Sequence, residues 1–420
     1  MDKFLVEGGR KLKGSVEISG SKNAALPIIV ASLLAEKGKT TLSNVPDLMD
    51  IRTVIGVIEE LGAMVNYDPK AETMEIDATS LKNYTAPYDL VRKMRASFLV
   101  MGPLLGRLGK ARVSLPGGCV LGPRPVDQHV QGFEKLGASI SEIEGYISAS
   151  AKQLKGAEIF FDRPSHTGTE NIMMASVLAG GKTTVINAGC DPEIVDLAEF
   201  LNKMGARISG AGTPRLEITG VKSLEAVDHI IIPDRLETGT FILAASACGG
   251  TIEIKKARPE HNRILISKLS ESGVEFKTAK DKISVTRNGR PTALKIITYP
   301  YPGFPTDLQA AVMAYAAICE GTSQIKETVF TERFTHVMEL IRLGADIKIM
   351  GDEAIITGVE KLNGTYIMAS DIRAGAGLVI AALAARGQSQ ILRVYHIDRG
   401  YQDIENKFTQ LGGNISRVSV

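Results

Sequence analysis

Stretches that are apolar on every face alternate along this chain with amphipathic stretches and short β-branched runs. Asn23-Ala24-Ala25-Leu26-Pro27-Ile28-Ile29-Val30-Ala31-Ser32-Leu33-Leu34 has almost no polar face. As a helix it has to be buried on most sides. Asp191-Pro192-Glu193-Ile194-Val195-Asp196-Leu197-Ala198-Glu199-Phe200-Leu201 is amphipathic instead, and packs outside or against a sheet. Runs such as Thr183-Thr184-Val185-Ile186 and Thr251-Ile252-Glu253-Ile254 read as strands.

The same order of elements recurs. Gly62, Gly137, Gly205, Gly273, Gly344 and Gly412 each end an amphipathic pattern and are 75, 68, 68, 71 and 68 residues apart. A second series, Gly38, Gly109, Gly181, Gly250, Gly321 and Gly387, closes the apolar helix of each copy and leads into a strand. Glycine just past a helix supplies its left-handed C-terminal turn. The chain therefore reads as six units of strand, helix, strand, helix, strand, strand. Three buried helices per domain, wrapped by sheets, predict two similar α/β halves with a cleft between them.

Length and composition add limits. The 420 residues exceed one ordinary domain. A net charge of +2 gives no basic footprint for nucleic acid or a membrane surface. There is no signal pattern and no long apolar run, so the expected location is cytoplasmic. The four cysteines, at 119, 190, 248 and 319, have neither C-x-x-C spacing nor clustered histidines, which argues against a metal site or a disulfide framework. Cys248 and Cys319 fall at matching places near the ends of two buried helices and are expected in the core. Cys190 reads as a turn residue.

Cys119 is different. Ser114-Leu115-Pro116-Gly117-Gly118-Cys119-Val120-Leu121-Gly122-Pro123-Arg124-Pro125-Val126-Asp127 joins a thiol, three glycines and an arginine in one loop. Paired glycines let the backbone approach a ligand, and a nearby cation favours the thiolate and binds anions. The alternative is a Gly/Pro turn with an incidental cysteine. Other charged residues interrupt the pattern at comparable places. Ser19-Gly20-Ser21-Lys22-Asn23 precedes a buried helix, as an anion site or as a plain cap beside a solvated lysine. Arg95 stands where a helix becomes apolar, either snorkelling or reaching into a pocket. Asp307 opens another buried helix, where a cap is the commoner role, and Asp371-Ile372-Arg373 holds the matching place in the last unit. With Arg124 and Arg399, these residues suggest a cleft for a substrate carrying several negative charges, phosphate or carboxylate.

Taken together, Ser19 to Leu26, Lys93-Met94-Arg95-Ala96-Ser97, Ser114 to Asp127, Phe304-Pro305-Thr306-Asp307, Thr328-Val329-Phe330 with Arg333-Phe334, Asp371-Ile372-Arg373-Ala374 and Tyr395 to Tyr401 resemble the UDP-N-acetylglucosamine 1-carboxyvinyltransferases, the enolpyruvyl transferases that open peptidoglycan synthesis. The motifs are dispersed, in order, and cover essentially the whole chain. The resemblance implies a two-domain inside-out α/β barrel with three repeats per domain. Residues 22–230 would form one domain, and 1–21 with 231–420 the other. It also implies transfer of the enolpyruvyl group of phosphoenolpyruvate to the 3-hydroxyl of UDP-N-acetylglucosamine with release of phosphate, and no cofactor or metal. By that likeness Lys22, Arg124 and Arg399 would hold phosphoenolpyruvate. Asn23, Arg95, Arg124, Pro125, Val126, Asp127, Gln128, Arg163, Pro164, Ser165, His166, Asp307, Val329 and Arg333 would line the nucleotide-sugar site. Cys119 would protonate the methylene carbon and be the target of the epoxide fosfomycin. Asp307 would take the hydroxyl proton, and Asp371 and Arg373 would support proton traffic and the phosphate. The halves are expected to close on the sugar nucleotide, with the Cys119 loop as lid.

This chain departs from the family pattern at Ser165-His166-Thr167-Gly168, where the family reads Ser-Val-Gly, and His166 is expected to replace a backbone contact with a side-chain one. Pro123 is a second departure and stiffens the loop. Two competing readings remain at this level. One is the sibling enolpyruvyl-shikimate-phosphate synthase, in which no Gly117-Gly118-Cys119 loop is expected. The other is a catalytically silent sensor of the sugar nucleotide, which would have no use for an acid and a base.

Overall fold

The computed structural model describes residues 2–92, 94–115 and 126–419, without the side chain of Arg95. Cys119, Arg124 and Pro125 therefore lie outside the described residues. Among the described residues, six four-stranded sheets share one plan. In the third repeat, Glu158–Phe160 pairs in parallel with Lys182–Ile186. That strand pairs antiparallel with Arg215–Thr219, which pairs with Arg207–Ser209. Helix His166–Ser176 is the crossover of the parallel pair and Pro192–Lys203 follows the second strand, giving the order read from the sequence.

The chain forms two compact units. One is the stretch from Gly20 to Ile232, and the other joins the chain up to Ser19 to that from Pro233 onward. Each has its own apolar core. Continuity is broken in three sheets. Asp228–Ile230 supplies the parallel strand beside Thr40–Ser43. Leu12–Glu17 does the same for Gly250–Lys255, and Asp2–Glu7 lies between Gln388–Leu392 and Asn414–Ser419. Gly20 lies where the chain passes from one unit into the other, and a Cβ built there would sit 1.7 Å from Asn44 O. Only glycine fits.

The apolar helices are inside, as their pattern requires. Every residue of Gln309–Ala316 is buried, as is all of Lys22–Ala31 except Asn23. Helices Arg235–Cys248, Gln309–Ala316 and Ile372–Ala384 pack on one another within one unit. In the other, Met101–Leu108 packs on His166–Ser176, while Lys22–Ala31 packs on Pro192–Lys203 and on the turn Arg95–Val100. The sheets cover these helices, and no closed barrel forms among the described residues.

The six glycines of the first series close their helices alike. Gly62 N donates to Glu59 O at 2.9 Å and Ala63 N to Ile58 O at 3.0 Å, a pairing repeated at Gly137, Gly205, Gly273, Gly344 and Gly412. This is the Schellman end, which needs positive φ at the glycine. The second series behaves differently from the expectation. Gly109 caps its helix directly, but Gly250 opens a strand with Gly249 as the helix cap. Both places need a left-handed residue, so composition alone does not separate a helix end from a strand entry. Cys319 is fully buried, but Cys248 only partly so. Burial pushes both thiols up to about 12, which leaves them inert.

Candidate active site

In the unit built around Pro233–Val420, the turn Thr306–Leu308 leads into the buried helix Gln309–Ala316. Asp307 does not cap that helix. Its Oδ1 meets Arg333 Nη1 at 2.7 Å and its Oδ2 meets Arg373 Nε at 3.6 Å. The guanidinium side chains are 6% exposed and the carboxylate 29%, so the acid faces outward from two sunken cations. Such a carboxylate is reachable from outside.

Asp371 does cap. Its Oδ1 accepts from Arg373 N at 2.9 Å and Ala374 N at 3.0 Å, and its Oδ2 accepts from Ser370 Oγ at 3.2 Å. The cap anchors Arg373 at the start of helix Ile372–Ala384. Burial works against the Arg373 charge, but Tyr401, Asp307 and Asp234 outweigh it and hold the group firmly protonated. Its Nη1 is buried with no acceptor among the described residues. Tyr401, under the guanidinium at 5.4 Å, is fixed by a 2.9 Å hydrogen bond between its hydroxyl and Thr240 Oγ1. His336, beside Asp371 and Arg333, is pushed down to about 4 by burial and is neutral at pH 7. Arg399 ends the 3-10 turn Val394–Arg399 and is partly buried.

Two residues that sequence reasoning passed over hold this cluster. Thr306 Oγ1 accepts from Arg333 Nη1 at 3.0 Å and donates to Glu327 Oε2 at 2.9 Å. Glu327 is fully buried, and its Oε1 accepts from Val329 N and Phe330 N. Glu327 looks like an ordinary charge at the end of a β-branched strand, so the sequence offered no signal for it.

In the other unit, Ser21 caps helix Lys22–Ala31 by accepting from Ala24 N, and Lys22 Nζ meets Asp50 Oδ2 at 3.1 Å. Both side chains are under a tenth exposed. The lysine is thus held by a buried partner, contrary to the solvated alternative. Asp50 was also missed, since an acid in the first turn of a helix reads as a dipole partner. Gln128 Nε2 donates to Arg163 O at 3.2 Å, joining helix Asp127–Lys135 to the segment before Ser165. Asp127 and Arg163 are exposed, while Asn23, Val126 and Pro164 are half-buried.

Ser165 caps helix His166–Ser176 by accepting from Gly168 N. His166 Nε2 then meets Glu170 Oε1 at 3.0 Å and Nδ1 meets Asp191 Oδ2 at 3.4 Å. Burial alone lowers a histidine, but the two carboxylates outweigh it and raise His166 well above its usual value. Burial pushes Glu170 up as well, and with two acids facing it the imidazole keeps the proton. Atoms of His166, Asp191 and Glu193 come within 4.8 Å of one another, and the imidazolium supplies the positive charge such a cluster calls for. A raised histidine stabilises the fold fully below its unfolded value near 6.5, and the gain fades as pH rises through the folded value. His166→Val is therefore expected to lower Tm more at pH 6 than at pH 9. A Tm difference independent of pH would contradict the imidazolium.

Comparison with known proteins agrees with this fold. The family profile described as EPSP synthase (3-phosphoshikimate 1-carboxyvinyltransferase) matches residues 6–408. Proteins named UDP-N-acetylglucosamine 1-carboxyvinyltransferase from Desulfosudis oleivorans and Desulfatibacillum aliphaticivorans are each 51% identical, and one from Geobacter metallireducens is 50% identical. Each match covers 100% of both chains. Among solved structures, the enolpyruvyl transferase NikO from Streptomyces tendae has a TM-score of 0.88 at 24% identity, covering 100% of this chain and 99% of its own. EPSP synthase from Acinetobacter baumannii has a TM-score of 0.77 at 19% identity, covering 100% of each chain. At such identities these two structures speak for the fold alone. With full-length identity at this level and a family profile spanning nearly the whole sequence, the chain belongs to the enolpyruvyl transferases, in the family of the UDP-N-acetylglucosamine 1-carboxyvinyltransferases.

Proposed function

We propose that this protein transfers the enolpyruvyl group of phosphoenolpyruvate to the 3-hydroxyl of UDP-N-acetylglucosamine and releases phosphate, the first committed step of peptidoglycan synthesis. The observation that carries this reading is the half-identity over full length to proteins named for that reaction. The partly exposed carboxylate of Asp307, set on two buried arginines, supports it chemically.

The reaction proceeds by addition and elimination. The sugar oxygen bonds to C2 of phosphoenolpyruvate while C3 gains a proton, giving a tetrahedral intermediate. The C2–O bond to phosphate then breaks and C3 returns a proton. Addition needs a base at the hydroxyl and an acid at C3, and elimination needs the opposite pair. Asp307 is the base in this reading and Cys119 the acid. Lys22, Arg124 and Arg399 neutralise the phosphate and carboxylate of phosphoenolpyruvate, while Asp371 and Arg373, whose Nη1 is buried with no acceptor among the described residues, support proton traffic and the departing phosphate. Asn23, Arg95, Pro125, Val126, Asp127, Gln128, Arg163, Pro164, Ser165, His166, Val329 and Arg333 bind the nucleotide sugar. Each preorganised donor on developing charge is worth about 3 kcal/mol in a dry site. No cofactor enters this scheme.

No helix of the described residues is long and apolar enough to cross a membrane. A cytoplasmic location is part of this reading, because both substrates are charged metabolites. Incubation with phosphoenolpyruvate should release phosphate when UDP-N-acetylglucosamine is the acceptor and not when shikimate 3-phosphate is. Release with shikimate phosphate alone, or with neither acceptor, would overturn the assignment. His166→Val should shift the affinity for the UDP-sugar between pH 6 and 8, and an unchanged affinity would remove His166 from the contact.

A further inference from the structure

We infer that Glu327 is a positioning residue for the reaction, acting on Asp307 through Thr306 and Arg333 and on the Val329 segment through the backbone. The inference rests on the reading above, in which Asp307 is the base and Val329 contacts the sugar nucleotide.

Four hydrogen bonds converge on this one fully buried carboxylate. Oε1 accepts from Thr298 Oγ1 at 2.8 Å, Val329 N at 2.8 Å and Phe330 N at 2.9 Å. Oε2 accepts from Thr306 Oγ1 at 2.9 Å. Because a carboxylate only accepts, the Thr306 hydroxyl must spend its single proton on Glu327. Its lone pairs are then turned toward Arg333 Nη1, 3.0 Å away, and the same nitrogen lies 2.7 Å from Asp307 Oδ1. The Thr306 hydroxyl is thus held from two sides, donating to Glu327 and accepting from Arg333.

Two stretches of the chain meet here, the turn carrying Asp307 and the run from the end of strand Thr322–Lys326 to Arg333. Thr298 ties in a third. Its Oγ1 also accepts from Thr328 N at 2.9 Å. A buried carboxyl group held by four hydrogen bonds is a rigid joint, because breaking one of them leaves a desolvated group unpaired. A neutral, purely structural residue could fill the space, but it could not fix the polarity of the Thr306 hydroxyl. Glutamine cannot either, since its NH2 group would donate toward Thr306 and reverse that bond.

The test compares Glu327→Gln, Thr306→Val and their double variant with the unaltered full chain, measuring phosphate release against each substrate. Misplacement of a reacting group by about 1 Å costs on the order of 100-fold. The single variants are expected to lose about 10- to 100-fold in kcat while KM for phosphoenolpyruvate changes less than about threefold. The double variant should be no worse than the poorer single one, because both cut one relay. Multiplying losses in the double variant, or a kcat unaffected by Thr306→Val, would overturn the inference. So would a loss confined to KM. Should Glu327→Gln not fold, Thr306→Val alone decides, as it removes the link and leaves Glu327 bonded to the backbone. An unaltered chain that releases no phosphate with UDP-N-acetylglucosamine would instead refute the proposed function, separately from this inference.

Discussion

Cys119→Ala is expected to lower phosphate release by about 10²–10⁴-fold, the share a positioned proton donor contributes. The physical reason is that C3 of an enol phosphate is a weak base, and only a donor held against it protonates it at a useful rate. Cys119→Asp keeps a proton donor at that place and should retain some turnover. The two variants part company in their response to an epoxide. Thiolate attack on fosfomycin forms an S–C bond, opens the ring and leaves an alkoxide that takes up a proton, so the protein gains the whole mass of the drug. Aspartate is a far poorer nucleophile, so the Cys119→Asp enzyme should stay active in fosfomycin. Intact-protein mass spectrometry with the UDP-sugar present reads this directly, and incubation with phosphoenolpyruvate should likewise add mass at Cys119. An unmodified thiol in both experiments, or full activity in the alanine variant, would remove Cys119 from the mechanism. The other cysteines make a clean background. Cys319 and Cys248 are held as thiols up to about 12, and burial also raises Cys190.

Asp307→Asn should cost about as much, 10²–10⁴-fold in kcat, with a different accompaniment. Asparagine keeps the shape and one acceptor oxygen but cannot take up the hydroxyl proton. It also leaves Arg333 and Arg373, each nearly buried, without the charge that faces them. Breaking a fully buried pair costs about 3–5 kcal/mol, and the 29% exposure of Asp307 brings the expected loss to the lower end or below. A lowered Tm should therefore accompany the lost activity. Binding of phosphoenolpyruvate should be kept or tightened, since two freed guanidiniums attract its anionic groups. Thermal unfolding and equilibrium binding separate these effects. Weaker phosphoenolpyruvate binding together with unchanged kcat would mean that Asp307 orders the arginines and takes no proton.

The contrast between Asp307 and Asp371 shows where local rules stop. Both precede a buried helix in matching places, and a cap is the ordinary role for such a residue. Asp371 follows the rule and accepts from Arg373 N and Ala374 N. Asp307 does not, because two arginines from other parts of the chain approach its carboxylate. Lys22 shows the same thing. Its place at a helix start was evident, but its partner Asp50 comes from another helix. His166 was evident as a departure from the family pattern, yet only the folded chain brings Glu170 and Asp191 to its two nitrogens.

What the amino-acid order alone determined was the architecture: six copies of one unit, each with an inner apolar helix, an outer amphipathic one and a glycine at the required helix end. These features follow from periodicity and backbone conformation, which act over a few residues and repeat. The tertiary structure decided which distant strands complete the three interrupted sheets, and which carboxylates stand against which cations. Pairing energy depends on distances in space, and the chain sets those only once its cores have packed. Glu327 is the plainest case, a common residue in an unremarked position whose four partners lie up to 29 residues away along the chain.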